Sequence, residues 1–190
     1  MATKESSNQT TKVVTGKVRL SYVHIFEAFS NTEAEPRFST VIMIPKSDTA
    51  TYRKIVAAQK VALENGKAST FNGKIPNNWH NTLKDGDEDA DLDQNPEYAG
   101  HWYMSVASKT RPGIVDKDVQ PIVDSTEVYS GCYARVSINA FPYNVQGNKG
   151  VSFGLNHVQK IADGDYLGGR SRAEDDFDDW EDDDDDEDVL

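Results

Sequence analysis

The sequence is poor in the residues from which most active sites are made. It has one cysteine, Cys132, in 190 residues, which excludes an intramolecular disulfide and fits a reducing compartment. Cys132 falls among small apolar residues at strand spacing, where a thiol usually packs rather than reacts. The histidines His24, His80, His101 and His157 are scattered. No HExxH, CxxC, GxSxG or GxxxxGKS/T pattern occurs, so the common hydrolase, zinc and nucleotide signatures are missing. No apolar run approaches ~18 residues, so no transmembrane helix is expected. The opening stretch MATKESSNQTTK has no apolar core of a secretory signal. These absences argue against an enzyme, a cofactor or a metal site, and for a soluble protein of the cytoplasm.

A further absence divides the chain. From Glu174 to Leu190 there is no Lys, Arg or His, while 13 of the 17 residues are Asp or Glu. The whole chain has 32 acidic and 20 basic residues. Met1 to Ala173 therefore carries 32 − 13 = 19 acids against 20 bases, a net charge of +1. Such a block of like charge is expected to be disordered, and it reads as an interaction tail. It serves either as a solubility tail or as a mimic of a polyanion. Phe177 and Trp180 beside the run Asp182, Asp183, Asp184, Asp185 and Asp186 favour the second reading. An aromatic ring flanked by carboxylates resembles a base flanked by phosphates.

The body is read as one domain, residues 12–173, between a disordered N-terminus, 1–11, and the tail, 174–190. Val13 to Phe26 is β-branched and aromatic, with Val18, Leu20, Tyr22 and His24 on an apolar face and Lys17, Arg19 and Ser21 opposite. Arg37 to Ile44 alternates in the same way and is expected to pair with it antiparallel. Tyr52, Ile55, Val56, Gln59 and Leu63 then fall at helical spacing, with Ser47 or Asp48 as cap and Asn65-Gly66 as stop. This places one helix at about 47–64.

Residues 67–96 are turn-rich. Their acidic run from Asp85 to Asp93 fails as a calcium loop, because the sixth position is Ala90 or Leu92 instead of glycine and the twelfth is Pro96 or Tyr98 instead of glutamate. Tyr98 to Arg111 resumes strand character. Residues 114–124 read as a loop ending in a short strand. Glu127 to Tyr143 is the longest strand expected. Asn144 to Gly150 is a hairpin loop with Gly147 and Gly150 as turn residues, and Val151 to Ile161 is the return strand. The result is a mainly β fold, a five- to six-stranded barrel of the oligonucleotide-binding (OB) type with one inserted helix and long loops. The helix comes earlier than is usual in such barrels, unless the first segment folds as two strands around Gly16 or Ser21.

Binding of single-stranded nucleic acid needs cations for phosphates and aromatic rings for bases. Lys17 and Arg19 share the polar face of the first strand. Tyr103, Lys109 and Arg111 follow one another along the third and its turn. Tyr133, Arg135 and Phe141 share a face of the long strand. Outside the stretch Asp85–Glu97, which has seven acids and no base, the body holds 12 acids against 20 bases. That excess gives phosphate affinity a source.

The segments GKVRLSYVHIFEAF, RFSTVIMIPKSD, SVASKTRPGIVDKD, EVYSGCYARVSINAFPYN, NKGVSFGLNHVQKIADG and LGGRSRAEDDF resemble a family of bacteriophage single-stranded DNA-binding proteins. The resemblance runs from about Val13 to Phe177. It implies an OB barrel with an acidic C-terminal tail, acting in the host cytoplasm in phage DNA replication or recombination. In the best-known relatives the tail ends in an aromatic residue, whereas this chain ends in Val189-Leu190. The expected partners are single-stranded DNA and, through the tail, replication proteins such as a polymerase, primase-helicase or recombinase. A homodimer is compatible with the sequence and not required by it. The alternative is an acidic-tailed interaction protein, a DNA mimic or chaperone of a basic partner, that binds no nucleic acid. Nothing in the residues selects DNA over RNA.

Overall fold

The computed structural model describes residues 10–167 together with Asp176 and Phe177. The expectations for residues 1–9, and those resting on Trp180 and on Asp182 to Asp186, lie outside the described residues. In chain order the elements are β1 (Lys12–Val14), β2 (Val18–Phe29), β3 (Arg37–Pro45), α1 (Thr49–Gly66), β4 (His80–Asn81), β5 (Lys84–Asp85), α2 (Gly86–Asp89), β6 (His101–Ser108), β7 (Gly113–Val115), β8 (Tyr133–Val145) and β9 (Asn148–Ala162). No helix among them is long and apolar enough to cross a membrane.

Five strands close a ring. β2 pairs antiparallel with β3, and β3 with β6. β6 meets β9 in parallel at Ala107 and Gly154. β9 and β8 form a long antiparallel hairpin, and β8 returns to β2 at Ala134 and Val18. This order, 1-2-3-5-4-1 in barrel numbering, is that of an OB barrel. Alternation along each strand fills the interior with Leu20, Ile25, Ile42, Met104, Val106, Val136, Ile138 and Phe153, all at most 2% exposed. The helix does come between the second and third barrel strands. It buries Ile55, Ala58, Ala62 and Leu63 and packs mainly on β8.

The first segment breaks where glycine permits it. Gly16 separates β1 from β2, and a Cβ there would lie 2.5 Å from the Asp48 carboxylate. That carboxylate caps α1, accepting from the Thr51 amide at 3.1 Å and from its hydroxyl at 2.6 Å. The Gly16 amide in turn donates to the Thr51 hydroxyl at 2.9 Å. One cap thus ties the helix start to the strand break.

Several sequence-based expectations are corrected. Tyr22 and His24 do not continue the inward face of Val18 and Leu20. A bulge at Tyr22, φ +47°, shifts the inward parity to Val23 and Ile25, as an extra residue in one strand must. β8 begins at Tyr133 rather than at Glu127, because Asp124 caps a 3-10 turn over Ser125–Glu127 and Gly131 turns the chain at φ +115°. The longest strand is therefore β9, with 15 residues. The short strand near residue 114 opens its segment instead of closing it. In the β8–β9 hairpin the two turn residues are Gln146 and Gly147, both at positive φ, as a two-residue primed turn requires. Gly150 belongs to β9, where β4 passes so close that a Cβ would lie 2.4 Å from the His80 carbonyl.

The acidic run forms a cover on the outside of the barrel. Lys46 at the end of β3 binds Asp85 at 2.7 Å and Asp87 at 2.6 Å. β5 pairs with β6 at Tyr103, and Tyr98 stacks on Tyr103 at 4.6 Å. Met43, the strand partner of Tyr103, is fully buried although it is not part of the barrel core.

Candidate nucleic-acid interface

The OB fold offers the outer face of its second and third strands, with the 1–2 and 4–5 loops as walls, to oligonucleotides. Here those are β3, β6, the loop 30–36 and the β8–β9 hairpin. On this face the outward residues are small: Ser39 and Val41 on β3, Ser105 and Ala107 on β6. They floor a cleft of about 460 Å³ walled by Tyr22, His24, Phe29 and Arg37. A second cleft shares Val41, Ser105 and Ala107 and continues to Tyr103, Lys84 and His80. A third shares His80 and reaches Tyr143 and Lys149 on the hairpin. The three form one trough across the barrel, from the loop 30–36 to the hairpin.

Exposed aromatic surface lies along it. Tyr22 is 57% exposed and Phe29 49%. The β2 bulge places both there. It turns Tyr22 outward, and the His24 ring lies parallel to Phe29 at 4.2 Å. Burial lowers the pKa of His24 below its usual 6.5, which favours the uncharged ring. Phe141, 41% exposed, lies beside Gly154, the strand partner of Ala107 on the floor. Gly154 has no side chain to hide the Phe141 ring from the trough.

Cations line the same path. Arg37 and Lys84 are exposed. Lys109 is 66% exposed and meets Glu35 only at 3.9 Å, a separation worth little in water. The Arg111 guanidinium lies 5.9 Å from the centre of the Phe26 ring, which packs against the core. Tyr103 presents one face, since Tyr98 occupies the other. Burial raises the Tyr103 pKa, with a smaller contribution from Asp89 nearby.

The eight residues singled out in the sequence thus separate into two groups. Tyr103 lines the trough, Lys109 and Phe141 lie beside it, and Arg111 stands over Phe26. Lys17, Arg19, Tyr133 and Arg135 gather instead on the β2–β8 seam. There the Lys17 ammonium and Arg19 guanidinium lie 5.3 and 5.7 Å from the Tyr133 ring centre. Arg135 donates to the Thr15 carbonyl at 3.2 Å. Arg19 donates to the carbonyls of Gly131 at 3.1 Å and Asp165 at 2.7 Å. The sequence reading did not single out Tyr22, His24, Phe29, Arg37, Lys84 or Lys149. The available signal was the density of aromatics in SYVHIFEAF next to the loop 30–36; strict alternation hid it.

Comparison with known proteins agrees with this fold. A family model described as "Enterobacter phage Enc34, ssDNA-binding protein" matches residues 11–190. A putative protein, p50, of Acyrthosiphon pisum secondary endosymbiont phage 1 is 31% identical over 176 residues, covering 88% of this chain and 93% of its own. The single-stranded DNA-binding protein from bacteriophage Enc34, solved in complex with ssDNA, superposes with a TM-score of 0.73 at 24% identity, covering 83% of this chain and 90% of that one. The single-stranded DNA-binding protein gp2.5 encoded by bacteriophage T7 shares the fold at a TM-score of 0.60 and 13% identity, covering 85% of this chain and 91% of that one. By its match over almost its whole length, the chain belongs to the family of the Enterobacter phage Enc34 ssDNA-binding protein.

Proposed function

We propose that this protein binds single-stranded DNA in the trough across β3 and β6, without sequence preference, in phage DNA replication or recombination. The observation that carries the reading is the pair of exposed rings Tyr22 and Phe29 along a path that also holds Arg37, Lys84 and Lys149, with Phe141 and Lys109 beside it. Stacking and phosphate contacts are indifferent to base identity. Tyr103 adds one ring face in the middle of that path, and Arg111 adds a further cation. Binding there coats exposed strands in the cytoplasm of the infected cell, removes hairpins and excludes nucleases.

The acidic tail competes for the same trough. Its carboxylates stand in for phosphates, and Phe177 and Trp180 stand in for bases. DNA displaces it, which frees it to recruit a basic surface on a replication protein. Titration of a fluorescent dT oligonucleotide at low salt tests the binding. At low salt, where phosphate contacts are strongest, we expect saturable binding well below ~100 µM. No binding in that range overturns the reading.

A further inference from the structure

We infer that Arg19 and the turn at Ser130–Gly131 form a seat for the segment 163–167, and that this seat fixes the root of the acidic tail at the Tyr22 end of the trough. Arg19 is then a positioning residue for tail competition and not a DNA contact. The inference rests on the competition proposed above.

The barrel ends at Ala162, yet the chain does not leave it there. Lys160 holds Asp163 at 2.7 Å. The Gly164 amide donates to the Tyr129 hydroxyl at 3.2 Å. Arg19 donates to the Asp165 carbonyl at 2.7 Å while its Nε holds the Gly131 carbonyl. The Leu167 amide donates to the Ser130 carbonyl at 2.8 Å. These bonds lay the segment along the turn like a short extra strand.

The fit is close enough to require two glycines. A Cβ on Gly131 would lie 1.9 Å from the Asp165 carbonyl oxygen. A Cβ on Gly164 would lie 2.2 Å from the Gly131 carbonyl oxygen and 2.8 Å from the Tyr133 ring. The Tyr133 ring that the sequence offered as a base platform is thus partly occupied by the protein's own chain.

The seat has a direction. Its last residues, Tyr166 and Leu167, line a cleft together with Tyr22 and His24, the pair that also walls the trough. The chain is released beside the place where a base would stack. From Gly168 to Phe177 there are ten residues, which span at most about 35 Å when extended. Released from its seat, the tether starts at Ala162 and is five residues longer. Effective concentration falls roughly as the −3/2 power of tether length, so lengthening from ten to fifteen residues reduces tail competition about twofold. Moving the starting point away from Tyr22 adds to that.

The test compares dT-oligonucleotide affinity in the full chain and in a chain lacking residues 174–190. Gly164→Ala drives the segment off Gly131, its Cβ meeting no barrel backbone but pressing on the Tyr133 ring, and Arg19→Ala removes its main side-chain bond. In the full chain we expect each to tighten binding at least about twofold, toward the value of the truncated chain. In the truncated chain we expect neither to change it. A loss of affinity with Arg19→Ala in both chains would make Arg19 a DNA contact and overturn the inference. It is equally overturned if truncation tightens binding while neither substitution does. If truncation itself leaves affinity unchanged, tail competition falls and the seat's role falls with it, although DNA binding in the trough stands.

Discussion

Tyr22 holds a left-handed backbone conformation, φ +47°, which costs a non-glycine residue on the order of 1 kcal/mol. Its side chain recovers little of that. The ring is 57% exposed and the hydroxyl reaches Asn95 only at 3.4 Å. A strained residue that aims an exposed ring over a cleft fits a binding role better than a packing role. Replacing it separates the two. Tyr22→Gly relieves the backbone and should raise the melting temperature slightly. It should also weaken dT-oligonucleotide binding about tenfold, the loss of one base stack worth ~1–3 kcal/mol. Calorimetry and titration of the same variant check both signs, and a fall in melting temperature with unchanged affinity would return Tyr22 to the core. This residue also shows why the site was only partly legible in the sequence. Alternation located Tyr103 and Phe141 correctly as outward residues, because β6 and β8 keep a period of two through those positions. It misplaced Tyr22 because one extra residue in a strand reverses every later assignment, and no residue type announces a bulge. It grouped Tyr133 and Arg135 with Phe141 because they share a strand face. A face several residues long curves around a barrel and ends on a different side.

At the scale of elements, the acidic run is held in place by one lysine. Lys46 binds both Asp85 and Asp87, and Asp87 also accepts from the Gly100 amide at 2.9 Å. The hydrogen bonds from Lys46 lower the pKa of both carboxyls below 3.8, and in return they raise the lysine to about 12. The sign follows from linkage. Depressed carboxyl values give stability that is present above pH 3.8 and is lost as the pH falls through the lower folded values. The raised lysine value gives stability that is present below its usual 10.5 and is lost as the pH rises through about 12. Lys46→Met should therefore lower the melting temperature across neutral pH. The gap to the parent protein should narrow as the pH drops below 3.8, which thermal melts at several acidic pH values would show. A gap that stays constant into acid would mean that the lysine acts through packing alone. The sequence could not foresee this clamp, since it joins residues about forty positions apart. It did foresee α1, whose apolar spacing, Asp48 cap and Asn65-Gly66 stop agree to within two residues. It foresaw the β2–β3 pairing as well. β4 and β5, with two residues each, and β7, with three, have no period to read. The closure of the ring rests on one parallel pair, Ala107 and Gly154, and neither side chain marks it.

For the whole molecule, the division between a body of net charge 20 − 19 = +1 and a tail with 13 acids and no base makes a prediction about salt. If four cations, Arg37, Lys84, Lys109 and Lys149, neutralise phosphates, log affinity for a single strand should fall against log salt with a slope of about −0.7 per contact, or roughly −2.8. Between 50 and 200 mM that is a loss of about fiftyfold. This slope belongs to the chain without its tail. If the tail of the full chain occupies the trough through the same cations, salt weakens the competitor together with the ligand. The full chain should therefore bind more weakly than the truncated chain at low salt and show a shallower slope. The two lines should converge as the tail loses its hold. A tail that only adds repulsive charge at a distance behaves differently, because screening beyond a Debye length of ~10 Å at 0.1 M removes its effect early and leaves the slope at high salt unchanged. Titrating dT oligonucleotides with both chains from 50 to 400 mM salt distinguishes the cases. Convergence that continues through the upper half of that range favours contact inside the trough. Parallel lines above ~0.15 M assign the tail to solubility or recruitment, with the trough open to DNA at all times.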